Sequence, residues 1–163
     1  MPELESLLER LTRARVEFVV VGGFAGIAHG VTLLTEDFDV YCRLGPENLL
    51  RVQASVADLH PVHRLTPQKL PMPMSAGDFA DVRNLYLDTD YGPLDCLGSI
   101  AGLGDFDRVL AQSIAVAFPF GEARILSVEA LIVAKMAMGR PKDLATIRQL
   151  QAIRERQKGN RGD

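Results

Sequence analysis

Three carboxylates and two glycines are the residues whose types and spacing could do chemistry. Asp37 and Asp39 bracket Phe38, and Asp95 stands between Leu94 and Cys96. On an extended strand, side chains two apart share a face. Asp37-Phe38-Asp39-Val40 therefore sends both carboxylates one way and Phe38 and Val40 the other, towards a core. Two adjacent carboxylates repel unless a cation lies between them or one takes a proton. All-oxygen pairs suit Mg²⁺, which is commonly held by one or two carboxylates plus substrate phosphates. Taken alone, the pair also reads as two exposed acids at a strand end. Asp95 sharpens the choice, because a lone carboxylate in an apolar strand is costly if buried and unpaired. A metal ion shared with Asp37 and Asp39 would offset that cost. So would a salt bridge, with Arg83 or Arg43 as partner.

Gly22 and Gly23 close the apolar run Phe18–Val21. Without side chains they let phosphates approach the backbone, and a helix beginning there offers free N–H groups to an anion. The same pair also reads as a plain turn.

The elements that must position these residues follow from periodicity. Leu4, Leu7, Leu8 and Leu11 mark an amphipathic helix over 3–14. Phe18–Val21 is a buried strand, 24–30 a short helix stopped by Gly30, and 37–42 a second strand. Pro46 opens a helix over about 46–59. The proline-rich stretch 60–77, with Met72 and Met74, reads as a long loop or flap. Residues 82–88, the turn Thr89-Asp90-Tyr91-Gly92 and a strand through Leu94 to Leu97 form a hairpin, 105–111 a short helix with Asp105 as N-cap, and 113–118 with 123–126 a second hairpin. Ser127 caps a helix over 128–139, and Pro141 begins a last helix reaching about 156. The expected fold class is α+β: a small mixed β-sheet with helices mainly on one face and two C-terminal helices. Residues 1–157 read as one domain and 158–163 as a disordered tail ending in RGD.

Bulk properties narrow the function classes. With 47% apolar and 24% charged residues the chain has ordinary globular composition, so a packed core is expected. No apolar run reaches the roughly 20 residues of a membrane span. The acidic start MPELESLLER lacks the features of a signal peptide, which points to the cytoplasm. A net charge of -3 argues against broad nucleic-acid coating. Cys42 and Cys96 make neither a disulfide framework nor a zinc motif, and read as buried thiols. A self-complementary homodimer is the default expectation for assembly. His29 reads as a packed or capping residue, and His60 and His63 as solvated.

Val19-Val20-Val21-Gly22-Gly23, then Asp37-Phe38-Asp39-Val40, then Leu94-Asp95-Cys96-Leu97, resemble the signature of the DNA polymerase β-type nucleotidyltransferase superfamily. Ser127-Val128-Glu129-Ala130-Leu131, Lys135, Gly139-Arg140 and Lys142-Asp143-Leu144 resemble its small bacterial branch related to abortive-infection toxin nucleotidyltransferases. The resemblance covers about residues 17–150. It implies a nucleotidyltransferase fold and transfer of NMP from an NTP to an acceptor, which is a protein, a tRNA end or a small molecule. It further implies two Mg²⁺ (or Mn²⁺) ions held by Asp37, Asp39 and Asp95, with Gly22, Gly23, Thr35 and Lys135 on the nucleotide. Arg140 and Lys142 are further candidates for the triphosphate. Related sequences often carry a basic residue two positions before that threonine, where this chain has Leu33. The alternative that departure favours is a module of the same fold that holds a nucleotide or a partner protein without turnover, as within a toxin–antitoxin pair.

Overall fold

A computed structural model describes residues 3–32, 34–72 and 75–161. Leu33, Pro73, Met74 and the last two residues lie outside the described residues. Seven strands form one mixed sheet, β1 (Phe18–Val21), β2 (Phe38–Cys42), β3 (Val62–His63), β4 (Asn84–Thr89), β5 (Gly92–Leu97), β6 (Ser113–Phe118) and β7 (Gly121–Leu126). Their order is β3-β4-β5-β2-β1-β7-β6. Among the described residues six α-helices accompany them: α1 (Leu4–Arg13), α2 (Gly22–His29), α3 (Pro46–Val56), α4 (Phe106–Ala111), α5 (Val128–Met138) and α6 (Leu144–Arg161). This is the mixed sheet with C-terminal helices that the sequence predicts. No described helix is long and apolar enough to cross a membrane.

The sheet's centre is where the chemistry sits. β2 pairs with β1 antiparallel and with β5 parallel, so Asp39 lies opposite Val21 on one side and Asp95 on the other. Residues paired across strands point to the same face. Asp39 and Asp95 therefore share one face. Phe38, Val40, Leu94 and Cys96 point the other way and are fully buried, in one core with Leu7, Leu8 and Leu11 of α1 and Leu49 and Val52 of α3. Both cysteines are free and buried. On the next element, Phe24 of α2 meets Phe38 edge to face, with centroids 5.5 Å apart, which fixes α2 against β2.

Asn48 of α3 ties the open end of the β1–β2 pair together. Its Oδ1 accepts from Glu17 N at 2.8 Å, and its Nδ2 donates to the carbonyls of Glu17 at 3.1 Å and Arg43 at 2.8 Å. The side chain is buried, so truncation strands three backbone groups. Asn48→Ala is expected to lower the unfolding free energy by about 2–4 kcal/mol, read by urea denaturation. A loss under about 0.5 kcal/mol would show that water replaces the amide.

Several boundaries differ from the sequence reading. β2 begins at Phe38, so Asp37 stands just before the strand rather than in it. The last β1–β2 pair is Val21↔Asp39, and β5 pairing starts at Phe38, which leaves no partner strand for Asp37. The 60–77 stretch is less irregular than expected. Val62 and His63 pair with β4, Val62 bridges Pro71, and a 3-10 turn covers Ala76–Phe79. Met72 and Phe79 enter the core, and that burial anchors the segment. α6 continues to Arg161, beyond the expected end near 156 and through most of the stretch read as tail.

Candidate active site

Gly22 opens α2 with φ +67°, a left-handed conformation that glycine adopts without strain. A Cβ there would lie 2.5 Å from Asp39 Oδ2, and one at Gly23 would lie 2.8 Å from Thr35 Oγ1. The paired glycines thus make room for two side chains of this chain as well as for any ligand. The α2 N-terminus has no side-chain cap. Thr35 Oγ1 donates to the Asp37 carbonyl at 3.3 Å, which steadies the approach to β2. Asp37 is exposed, Asp39 half-buried and Asp95 buried.

The two central carboxylates press on one another. Burial, then the charges of Asp95 and Asp37 and a hydrogen bond shared with Asp95, push the Asp39 carboxyl up to about 7, with Arg64 acting in the opposite sense. Asp95 is not paired with Arg83 or Arg43. Its partner is Arg64, whose Nη2 lies 2.6 Å from Asp95 Oδ1. The contact is close but misaligned, and Asp95 Oδ1 and Arg64 Nη1 are both buried without a hydrogen-bond partner. Arg43 instead bonds Asp107 and Glu17 and stacks on Phe106.

The expected set of three metal-binding carboxylates is not gathered as one cage. Among the described residues, no group of three or more His, Cys, Asp or Glu side chains could hold a metal ion. The Asp39–Asp95 pair still fits a hard divalent cation. It offers carboxylate oxygens only, and Asp95 Oδ1 is a buried acceptor lacking a hydrogen bond. Two carboxylates completed by water and phosphate oxygens is a usual Mg²⁺ environment.

The Asp39 carboxyl gives the site a pH dependence. The folded chain keeps that proton to about pH 7, whereas an unfolded aspartate releases it near pH 4. Between those values the folded state binds more protons, so stability falls as pH rises. His60, raised by its bond to Asp90, adds a slope of the same sign. The ion-free protein is expected to melt lower at pH 8 than at pH 5, and Asp39→Asn to shrink that difference. Mg²⁺ should stabilise more at pH 8, where the carboxylate is free. Scanning fluorimetry across that range checks the signs, and an unchanged slope in the variant contradicts the assignment to Asp39.

Beside the acids lies a cationic cleft. Lys135 and Arg140 line three cavities, two of which adjoin the glycine turn. One, of about 180 Å³, is mostly apolar and includes Val21, Gly22, Asp39, Leu126 and Leu131. The other, of about 250 Å³, includes Gly23, Thr35, Lys142 and Asp143. Lys135 therefore faces the candidate site rather than reaching for solvent, and its side chain is only 13% exposed. Asp143 holds both cations, with Arg140 Nε at 2.7 Å and Lys135 Nζ at 3.6 Å. Burial works to raise the Asp143 carboxyl, but Arg140 and Lys135 outweigh it and hold it low. His29 is occupied structurally, its Nε2 lying 2.8 Å from the Leu126 carbonyl.

Arg64 is the residue of this site that the sequence reading did not single out. It follows the two-residue strand β3, too short to leave a pattern, and its pairing with Asp95 joins segments far apart in sequence.

The acids lie on the central strands of the sheet, and the cationic cleft lies beside them at the α5–α6 junction. No protein-family model matches the chain, and no curated protein matches it in sequence. Solved structures do match in fold. TM1012 of Thermotoga maritima, a candidate nucleotidyltransferase, superposes with TM-score 0.57 at 17% identity, over 93% of this chain and 96% of that one. ANT(2″)-Ia in complex with adenylyl-2″-tobramycin gives TM-score 0.56 at 15% identity, over 96% and 95%. The solution structure of the antibiotic-resistance factor ANT(2″)-Ia gives 0.53 at 17%, over 99% and 95%.

Proposed function

We propose that this chain is a metal-dependent nucleotidyltransferase that moves a nucleoside monophosphate from an NTP to an acceptor. The observation that carries the reading is Asp39 beside Asp95 on paired strands, at the glycine turn that opens onto Lys135 and Arg140. The fold neighbours support it, one of them having been captured with a nucleotidylated compound. Asp39 and Asp95, with Asp37 at the rim, would hold Mg²⁺ or Mn²⁺. Such ions stabilise the attacking and leaving oxygens of an in-line displacement at the α-phosphate. Gly22, Gly23 and Thr35 line the side where phosphates would lie against the α2 N-terminus. Lys135, Arg140 and Lys142 would balance the triphosphate charge, with Asp143 holding the first two in place. The acceptor is a protein, an RNA end or a small molecule, and the work is done in the cytoplasm.

A second reading has a specific observation in its favour. Arg64 occupies Asp95, as expected of a module that holds a nucleotide or a partner protein without turnover, as in a toxin–antitoxin pair. Incubation with α-labelled NTPs, Mg²⁺ or Mn²⁺ and cell extract separates the two. Label transfer that disappears in Asp37→Ala and Asp39→Ala supports the enzyme. NTP binding without transfer supports the module. A thermal-shift titration that detects neither NTP nor metal binding sinks both nucleotide readings.

A further inference from the structure

Arg64 reaches the acidic face from the residue that follows β3. Its backbone N–H donates to Tyr86 O at 2.9 Å, immediately after β3, so the chain anchors its root. Its guanidinium carbon lies 5.8 Å from the Tyr86 ring centroid, within cation–π range. Its tip reaches Asp95, on the face that Asp95 shares with Asp39. A guanidinium kept for structure usually meets a carboxylate through two aligned hydrogen bonds. Here one short contact leaves Arg64 Nη1 and Asp95 Oδ1, both buried, without hydrogen bonds. The pair is thus incompletely satisfied, so a ligand that gives both groups better partners can replace it. Tyr86 offers a perch that does not depend on Asp95. Asp88, whose nearest cation is Lys69 at 3.6 Å, offers a second carboxylate on the same strand.

We propose that Arg64 is the resident counter-ion of the acidic pair: its guanidinium takes the Asp95 oxygen that a divalent ion needs, and the ion must displace it to bind. The inference rests on the reading of Asp39 and Asp95 as metal ligands. It makes ion binding a competition and couples it to the segment that begins at β3. An ion delivered together with a polyanionic nucleotide wins that competition more readily, because the released guanidinium gains a phosphate to face. Arg64 therefore biases the site towards loading ion and nucleotide together rather than ion alone.

The test is Mn²⁺ binding to the full chain without nucleotide, followed by electron paramagnetic resonance, in wild type, Arg64→Ala, Arg64→Lys and Asp39→Ala. Arg64→Ala is expected to bind Mn²⁺ about fivefold more tightly than wild type, a difference of about 1 kcal/mol. Arg64→Lys keeps the charge on a shorter reach and should fall between them. It also guards against a folding defect in the alanine variant, as do matched melting curves. Adding a non-hydrolysable NTP analogue should narrow the gap between wild type and Arg64→Ala. Equal affinities in wild type and both Arg64 variants, with binding lost in Asp39→Ala, would overturn the counter-ion role and leave the metal site standing. Weaker binding in Arg64→Ala would also overturn it, by making Arg64 a support of the site. If no variant binds Mn²⁺, the metal reading fails and the counter-ion role with it.

Discussion

Asp39→Asn should separate chemistry from stability in opposite directions. The carboxylate lies between Asp95 and the glycine turn, so its loss removes half of the only paired acids at the sheet centre among the described residues. Transfer of label from NTP is expected to fall at least about a hundredfold, the usual scale for removing one electrostatic contributor to a transition state. Divalent binding should weaken in parallel. Yet the ion-free variant should melt above wild type at pH 8, because the amide replaces a charge that burial and two neighbouring carboxylates disfavour. A purely structural aspartate predicts the reverse, with stability lost and any transfer retained in proportion to folded protein. Measuring rate per folded molecule and melting temperature on one preparation decides the matter.

Gly22→Ala carries the second large effect. The new methyl faces two costs at once. Its backbone would hold φ +67° with a Cβ, and that Cβ would lie 2.5 Å from Asp39 Oδ2. The left-handed conformation alone costs about 1–2 kcal/mol. The collision is relieved only if Asp39 turns away or α2 shifts, and either movement spoils the site. Loss of Mn²⁺ binding together with about 1–3 kcal/mol of stability is the expected result. Gly45 supplies the control. It has φ +152° with nothing within 4 Å of a Cβ, so Gly45→Ala is strained without colliding and lies away from the acids. Stability losses of similar size in both, with Mn²⁺ binding lost only in Gly22→Ala, would isolate the collision. Retained binding in Gly22→Ala would show that the turn yields.

How far the sequence could be read depended on how local each signal was. Gly22 and Gly23, the alternation around Asp39, the isolated acid at Asp95, and the caps Ser127 and Asp105 are all short-range patterns. The structure has the strands and caps they predict: Ser127 accepts from Ala130 N and Asp105 from Arg108 N. What could not be read was long-range partnership. Asp95 invited a cation, but Arg83 and Arg43 were nearer in type than in space, and Arg64 arrives through a strand of two residues. Asp37 obeyed the alternation rule, yet lacked a strand to pair with. The prolines of 60–77 suggested more irregularity than the backbone has, because the pairing of Val62 and His63 with β4 and the burial of Met72, with Phe79 just beyond, are contacts no periodicity reveals.

Asp39 and Asp95 face each other across adjacent paired strands. The interval between their backbones is therefore the inter-strand spacing of a sheet, about 4.8 Å, set by main-chain hydrogen bonds and not by any loop. The spacing of the two carboxylates is in this sense a backbone dimension, common to every sequence that keeps those two strands in register. Thr35, Lys135 and Arg140 stand outside those two strands and can be rebuilt without moving the ruler.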